Sequence, residues 1–118
     1  NDDDDGPFVY CGFKPAWVMI KASSSNSPYQ AYASWGIKDS SRYPSNINNP
    51  PTLWANESYE EGKRGNGDAD TYDERFDFLS NGFKIGASSS YEVESNHNGV
   101  TYIFMAFAES PFQTANAK

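Results

Sequence analysis

The chain reads RFDFLSNGFKIG over residues 75–86, and this stretch decides the fold. Large apolar side chains stand at every second position on both sides of its central Ser-Asn-Gly, at Phe76, Phe78, Phe83 and Ile85. Such alternation is typical of strands, because successive side chains of a strand point to opposite faces of the sheet. The dipeptide Asn81-Gly82 readily supplies positive φ at both central residues of a two-residue turn. The stretch therefore predicts a β-hairpin that turns at Asn81-Gly82.

A second apolar run lies near the end of the chain, where residues 100–108 read VTYIFMAFA. Nearly every position in it is apolar, and no alternation with polar residues is visible. Continuous apolar runs of this length are typical of strands that are covered on both faces. We therefore expect this segment to be the central strand of a sheet.

Shorter strand patterns precede these two segments. Residues 8–13 and 17–20 predict two strands that pair antiparallel, and further strands are predicted at 29–37 and 52–55. The total is about seven short strands with turn signals between them and no helical periodicity. This pattern favours an all-β fold, an antiparallel β-sandwich of the jelly-roll or concanavalin-like kind. We expect one domain over residues 1–118, with 1–7 as a turn or linker and 110–118 as a C-terminal tail, and a start that marks a piece of a longer protein.

The charge balance argues against two classes of partner. The chain has a formal net charge of −7 and a pI near 4.5. Nucleic-acid affinity comes largely from clustered Lys and Arg, so a nucleic acid is not expected to bind. The longest basic run is Lys63-Arg64 beside Glu60-Glu61, which is too short for a polybasic membrane patch. No apolar run approaches the roughly 20 residues that a membrane-spanning helix needs.

Catalytic motifs are few, so we do not expect an enzyme. The single histidine, His97, lies in a predicted polar loop, and no nucleophile-elbow, metalloprotease or phosphate-loop motif occurs. The single cysteine, Cys11, excludes an intrachain disulfide and is expected to be a small buried hydrophobe. A glycosidase pair such as Asp77 with Glu109 stays open, because that reaction needs only two carboxyl groups about 5 to 9 Å apart, but nothing singles this pair out.

One acidic loop is the best metal candidate in the sequence. It carries oxygen side chains at nearly alternate positions beside a glycine: Asn66, Asp68, Asp70 and Asp73. Calcium prefers such ligands in a loop that folds around it. The spacing does not complete an EF-hand, so a solvated acidic loop is the competing interpretation. No other cofactor is expected.

Aromatic residues make up 16% of the chain, including three tryptophans and eight tyrosines. Most of them are expected to fill the core and keep the sheets in register. The candidates for contact with a saccharide are those in or beside the long loops: Tyr43, Trp54, Tyr59 and Tyr72. Their ring faces would stack on sugar C–H groups while neighbouring amides and carboxylates bind the hydroxyls. Packing and subunit contact are the competing roles.

Three segments carry a resemblance to a known family. They read FVYCGFKPAWVMIK at residues 8–21, DFLSNGFKI at 77–85 and NGVTYIFMAFAESPF at 98–112. Together with 35–39 and 53–56, they follow the order seen in the C-terminal β-rich domain of tailed-bacteriophage virion proteins, and the chain resembles this tail-fibre and tailspike-like family. The resemblance spans most of the chain.

The resemblance implies a virion structural domain of a tail fibre, spike or decoration protein. Such a domain acts by display on the particle surface and by attachment to host-surface glycans. Its expected partners are other virion subunits, in a homo-oligomer with a trimer favoured. Two alternatives remain open: a purely architectural module that decorates a capsid or oligomerises a fibre, and a secreted or cell-surface carbohydrate-binding lectin. An enzyme comes last.

Overall fold

The computed structural model of the chain describes residues 6–24, 34–42, 51–61, 74–87, 96 and 99–110. This part of the chain is all-β and contains no helix, so no helix in it is long and apolar enough to cross a membrane. The described residues contain seven strands: β1 Phe8–Tyr10, β2 Pro15–Ser24, β3 Gly36–Asp39, β4 Leu53–Trp54, β5 Glu74–Leu79, β6 Gly82–Ala87 and β7 Thr101–Ala108.

The strands form two sheets in which every pairing is antiparallel. The three-stranded sheet has the order β1-β6-β5, and the four-stranded sheet has the order β4-β3-β2-β7. The predicted all-β sandwich is confirmed. The predicted pairing of the first two strands is wrong, because β1 pairs with β6 while β2 belongs to the other sheet. Between them the chain turns at Gly12, which has φ of 78°.

The predicted hairpin is confirmed as β5 and β6, with Phe78 opposite Phe83 and Leu79 opposite Gly82. Its turn differs from the prediction, because Gly82 is the first residue of β6 and does not have a left-handed φ. A Cβ atom at Gly82 would lie 2.0 Å from the carbonyl oxygen of Val9 in β1. Glycine is therefore needed here for the close approach of a third strand rather than for the turn.

The core lies between the two sheets. Its buried apolar residues are Val18 and Ile20 from β2 and Phe76, Phe78, Phe83 and Ile85 from the hairpin. The rings of Phe76 and Phe83 stack with their centroids 5.0 Å apart. Cys11 is half-buried against this cluster, and burial raises the pKa of its thiol. A raised pKa keeps the thiol protonated at neutral pH, which suits the small hydrophobe that we expected.

A lysine lies in the core between the sheets. Lys38 in β3 is 2% exposed, and its Nζ donates a hydrogen bond to the Thr52 hydroxyl oxygen at 2.7 Å. The same Nζ lies 5.6 Å from the centroid of the Phe76 ring in the opposite sheet. A buried ammonium group is tolerated only where polar and aromatic groups replace its water. Lys38 therefore links β3 to Thr52, the residue before β4, and to Phe76 of β5 in the opposite sheet.

The prediction that residues 100–108 form a central strand is wrong. In the described part of the chain β7 is the edge strand of the four-stranded sheet, and β2 holds the position beside it. Met105 and Phe107 are 54% and 56% exposed, and Ile103 and Phe104 are nearly as open. An apolar run predicts a strand but does not specify what lies beside it, since that depends on the order of the strands.

Replacing Gly82 by alanine tests the close approach of β1 to β6. We expect Gly82→Ala to lower the free energy of unfolding by about 2 kcal/mol or more, because the Val9 carbonyl group must shift. Urea unfolding at equilibrium measures this change.

The matched control is Gly36→Ala in β3. A Cβ atom at Gly36 would make ordinary contacts, 3.5 Å from Cζ3 of Trp54 and 3.6 Å from Cγ2 of Thr52. Its stability should stay within about 1 kcal/mol of the wild type. Equal effects of the two substitutions would contradict the close approach.

Candidate functional site

The four-stranded sheet has an apolar surface on the side opposite the core. Because Val18 and Ile20 point into the core, Trp17, Met19 and Lys21 point to the other side of β2. Cross-strand register places their neighbours on the same side. We define the outer face as Trp17, Met19, Lys21, Trp35, Ile37, Asp39, Leu53, Ile103, Met105 and Phe107.

Two rows of side chains cross this outer face. One row runs from Asp39 through Trp17 to Phe107, and the next contains Ile37, Met19 and Met105. The rings of Trp17 and Phe107 meet edge to face with their centroids 5.4 Å apart. An exposed face would ordinarily carry polar residues in these positions. Apolar surface on the outer side of a sheet is a feature by which interaction sites are recognised.

A second aromatic position lies at the start of β3. The Nζ atom of Lys21 lies 5.4 Å from the centroid of the Trp35 ring. The backbone of Trp35 is held by Asn56, whose Oδ1 accepts its N–H at 2.7 Å, and by the Ala55 N–H, which donates to its carbonyl at 3.1 Å. Because the turn after β4 holds this backbone, the Trp35 ring has a defined place on the outer face.

A cluster of three charged residues borders the outer face: Asp39, Arg42 and Glu61. The Asp39 carboxylate accepts the backbone N–H groups of Ser41 at 3.1 Å and of Arg42 at 2.8 Å. The Arg42 guanidinium group forms ion pairs with Asp39 and, at 3.1 Å, with Glu61. We call these residues the ionic rim. It joins the end of β3 to the segment after β4 and offers charged hydrogen-bonding groups beside the rings.

The charges of the ionic rim support one another. Burial by itself raises the pKa of Asp39, but the hydrogen bonds from Arg42 and Ser41 outweigh it, and the net pKa is lowered. Burial lowers the pKa of Arg42, and hydrogen bonds to Asp39 and Glu61 outweigh that effect, so its net pKa is raised. Asp39 and Arg42 therefore stay ionised at neutral pH.

Of the four sequence-predicted saccharide residues, the structure describes Trp54 and Tyr59. Trp54 lies opposite Gly36, on the side of the sheet that faces the core, and its ring is half-buried. Tyr59 is 37% exposed in the segment after β4. Tyr43 and Tyr72 lie outside the described residues. Trp54 therefore fills space on the core side of the sheet, beside the buried Lys38. Of the two candidates that the structure describes, only Tyr59 is open to solvent.

The metal candidates from the sequence and the single histidine lie outside the described residues. They are Asn66, Asp68, Asp70, Asp73 and His97. Within the described ranges, no three His, Cys, Asp or Glu side chains come together to hold a metal ion.

The two carboxylates of the glycosidase alternative belong to different sheets. Asp77 is 5% exposed on β5 and alternates with two core residues, so it points away from the four-stranded sheet. Glu109 follows β7 and pairs with Lys14 at 2.7 Å. These placements give the two groups no shared cleft in the described structure.

The outer face was not anticipated from the sequence, although a signal for it is present. Positions 17–20 read WVMI, so both parities of β2 are apolar. A strand with one face in the core and the other in water would alternate apolar with polar side chains. The missing alternation is the signal that the second face of β2 is apolar as well.

A domain family matches nearly the whole chain. It is described as a domain of unknown function, DUF7483, and the match covers residues 1–111. No curated protein and no solved structure matches the chain. The description of the family assigns no ligand or reaction to the outer face.

Replacing Asp39 by asparagine tests the ionic rim. We expect Asp39→Asn to lower the free energy of unfolding at pH 7 by about 1–2 kcal/mol, since hydrogen bonds to a charged group are lost. The folded pKa is depressed. The extra stability is therefore present above the unfolded pKa of about 3.9 and lost as the pH falls through the folded value. The difference in the free energy of unfolding between variant and wild type should therefore disappear over the same fall in pH. Urea unfolding from pH 7 to pH 2.5 measures this.

Glu109→Gln is the matched control, because it also removes one negative charge from an ion pair. Its partner Lys14 and the carboxylate are each about half exposed. Exposed pairs contribute little, so this variant should follow the wild type at every pH. A loss at Glu109 as large as at Asp39 would show that net charge, not the rim, controls the pH dependence.

Proposed function

The chain belongs to the DUF7483 family, and we propose that it is a non-enzymatic structural domain of a tailed-bacteriophage virion protein. The parent protein would be a tail fibre, a spike or a decoration protein, and the domain would lie on the surface of the particle. The support is the resemblance of residues 8–21, 77–85 and 98–112 to virion proteins. The β-sandwich is compatible with that role but is shared by many unrelated functions.

We further propose that the domain attaches the particle to host-surface glycans through the outer face. The observation that carries this proposal is the combination of exposed rings with the ionic rim beside them. The Phe107 ring is open to solvent next to Trp17, and Asp39 ends the same row. Flat aromatic rings stack on the C–H faces of sugars, and carboxylate and guanidinium groups bind their hydroxyls.

A sheet surface suits this task because its side chains are already in place before a ligand arrives. The rows of the outer face follow the register of four paired strands, and the ionic rim is tied down by hydrogen bonds. Groups that are held in place lose little freedom on binding, so more of the contact energy appears as affinity.

Display on a particle would make weak binding sufficient. A single patch of a few rings is expected to bind a glycan weakly, and many linked copies raise the effective concentration of the second contact. We therefore propose that the domain acts as one of many copies, together with other virion subunits. The trimer expected from the resemblance remains part of this proposal for the parent protein on the particle.

The second candidate function is purely architectural. The observation that favours it is the exposure of β7, which supplies three of the eight apolar residues of the outer face. On this alternative the face would contact another subunit, and no glycan would bind.

A glycan array probed with the 118-residue chain on a tetravalent support tests attachment. We expect saturable binding to a subset of surface polysaccharides. In titrations of such a glycan, Phe107→Ala and Arg42→Ala should each weaken binding by about tenfold, because each removes a contact of roughly 1.4 kcal/mol.

Tyr10→Ala is the matched control. Tyr10 is 70% exposed on the outer side of the three-stranded sheet, so its loss removes an equally open ring elsewhere. This variant should bind like the wild type, and thermal unfolding should show that all three variants are folded. Absence of binding on the array, or equal loss with Tyr10→Ala, would reject attachment through the outer face.

A further inference from the structure

The β7 strand has one side that pairs with β2 and one side that pairs with no strand of the described chain. The Glu109 N–H donates to the Lys14 carbonyl at 2.9 Å. At the other end, the Thr101 N–H donates to the Ser24 hydroxyl at 3.2 Å, and its carbonyl accepts from Ser23 at 3.1 Å. Backbone groups alternate sides along an antiparallel strand. The odd-numbered residues therefore bond to β2, and Phe104 and Ala106 direct their N–H and C=O groups to the open side.

The other described sheet edges are protected in ways that β7 is not. β1 has three residues and β4 has two, and β5 has charged residues at three of its six positions. Short edges and charged side chains keep sheets from joining edge to edge. β7 is eight residues long and carries no charge between Thr101 and Ala108. Of the described edges, it is the one that is both long and apolar.

We propose that β7 pairs antiparallel with β7 of a second copy of this chain, in a register centred on Met105. The two four-stranded sheets would then form one continuous eight-stranded sheet. The contact is two-fold and isologous, so it closes after two copies. Because a two-fold axis normal to the sheet keeps each face on its own side, odd residues meet odd residues and even residues meet even residues.

The sequence of β7 is complementary to itself in this register. On the outer face, Ile103 meets Phe107 of the second copy, and the two Met105 side chains meet at the axis. On the inner face, Phe104 meets the small Ala106 of the second copy. The neighbouring register, centred on Phe104, places two large rings at the axis and sets Thr101 against Phe107. The Met105 register therefore pairs large side chains with small ones and apolar with apolar.

Charge opposes association over the whole chain but not along this strand. Each copy has a net charge of −7. The carboxylate nearest to the strand, Glu109, is neutralised by Lys14 at 2.7 Å. Repulsion between the copies acts over a screening length of about 8 Å at physiological salt, whereas apolar contact is not screened. Added sodium chloride should therefore strengthen the pairing.

The exposed area bounds the size of the contact. Ile103, Phe104, Met105 and Phe107 are each about half exposed. At roughly 100 Å² of open surface per side chain, a pair has about 800 Å² of open surface on these residues, and edge-to-edge pairing buries only the part that faces the second copy. The buried area is therefore smaller than the roughly 1,000 Å² of specific interfaces, as is typical of weak contacts. We therefore expect micromolar association, which becomes appreciable where copies are concentrated.

Pairing would also join the two outer faces into one surface with twice the number of rings. This consequence rests on the proposed attachment function. The pairing itself does not, because it is measured without any glycan.

Sedimentation of the 118-residue chain over about 1 to 500 μM tests the pairing. We expect a monomer–dimer equilibrium with a micromolar Kd that tightens in added sodium chloride. Met105→Lys places a charge at the axis, and Ala106→Pro removes an N–H from the open side without touching the bonds to β2. Each should raise the Kd at least tenfold. Tyr10→Lys makes the same kind of charge change on the other sheet and should leave the Kd unchanged.

Amide hydrogen exchange provides a test that needs no variant. In dilute monomer the odd-numbered amides of Ile103, Met105 and Phe107 should be protected, and the even-numbered amides of Phe104 and Ala106 should exchange fast. At high concentration the even-numbered amides should become protected as well. Protection of Phe104 and Ala106 in the monomer would show that another segment of the same chain covers the edge, and would overturn the proposal.

Other outcomes also overturn the pairing. These are a monomer at 500 μM, a Kd that rises with salt, and a dimer or trimer that Met105→Lys and Ala106→Pro leave intact. The two proposals fail separately. Arg42→Ala changes the ionic rim, so it should weaken glycan binding and leave the dimer intact, whereas Ala106→Pro should break the dimer and leave single-site glycan affinity unchanged.

Discussion

The contact between the phenylalanine-rich hairpin and β2 is the interaction on which the rest of the structure depends. Phe76 and Phe83 stack in the hairpin, and Val18 and Ile20 of β2 complete the buried cluster opposite them. Burial of aromatic and branched side chains is the largest favourable contribution to such a fold. It joins two sheets whose strands come from both ends of the chain. Lys38 extends the same contact at one side through the Phe76 ring.

This contact commits one face of β2 to the core and leaves the other face free. The residues on that free face remain apolar, and β7 beside them is apolar on both faces. The described part of the domain therefore has more apolar surface than its two-layer core covers. Burial of part of that surface by a ligand or by another subunit would lower the free energy of the exposed rings. The ionic rim restricts the polar contacts to one end of β3.

The sequence predicted where the strands are more accurately than it predicted which strands lie side by side. The hairpin was predicted because period-two alternation at Phe76, Phe78, Phe83 and Ile85 is a local property of the chain. The role of Gly82 was misassigned. Glycine is required at this position because the carbonyl oxygen of Val9, about seventy residues away in sequence, lies too close for a side chain. The apolar run at β7 predicted a covered central strand, but composition alone does not distinguish a central strand from an edge strand. The saccharide candidates were sought in loops, while the rings that the structure brings together lie on a sheet face.

The sequence by itself determined the all-β class, the hairpin and the amount of apolar surface, because these follow from alternation, turn residues and composition along the chain. Only the tertiary structure decided that β2 is central, that β7 is an edge among the described strands, that Lys38 is buried and that Trp17, Phe107 and Asp39 share one row. The physical reason is that these features depend on strand order and register. Both are set by packing between segments that are distant in sequence, and local preferences do not specify them.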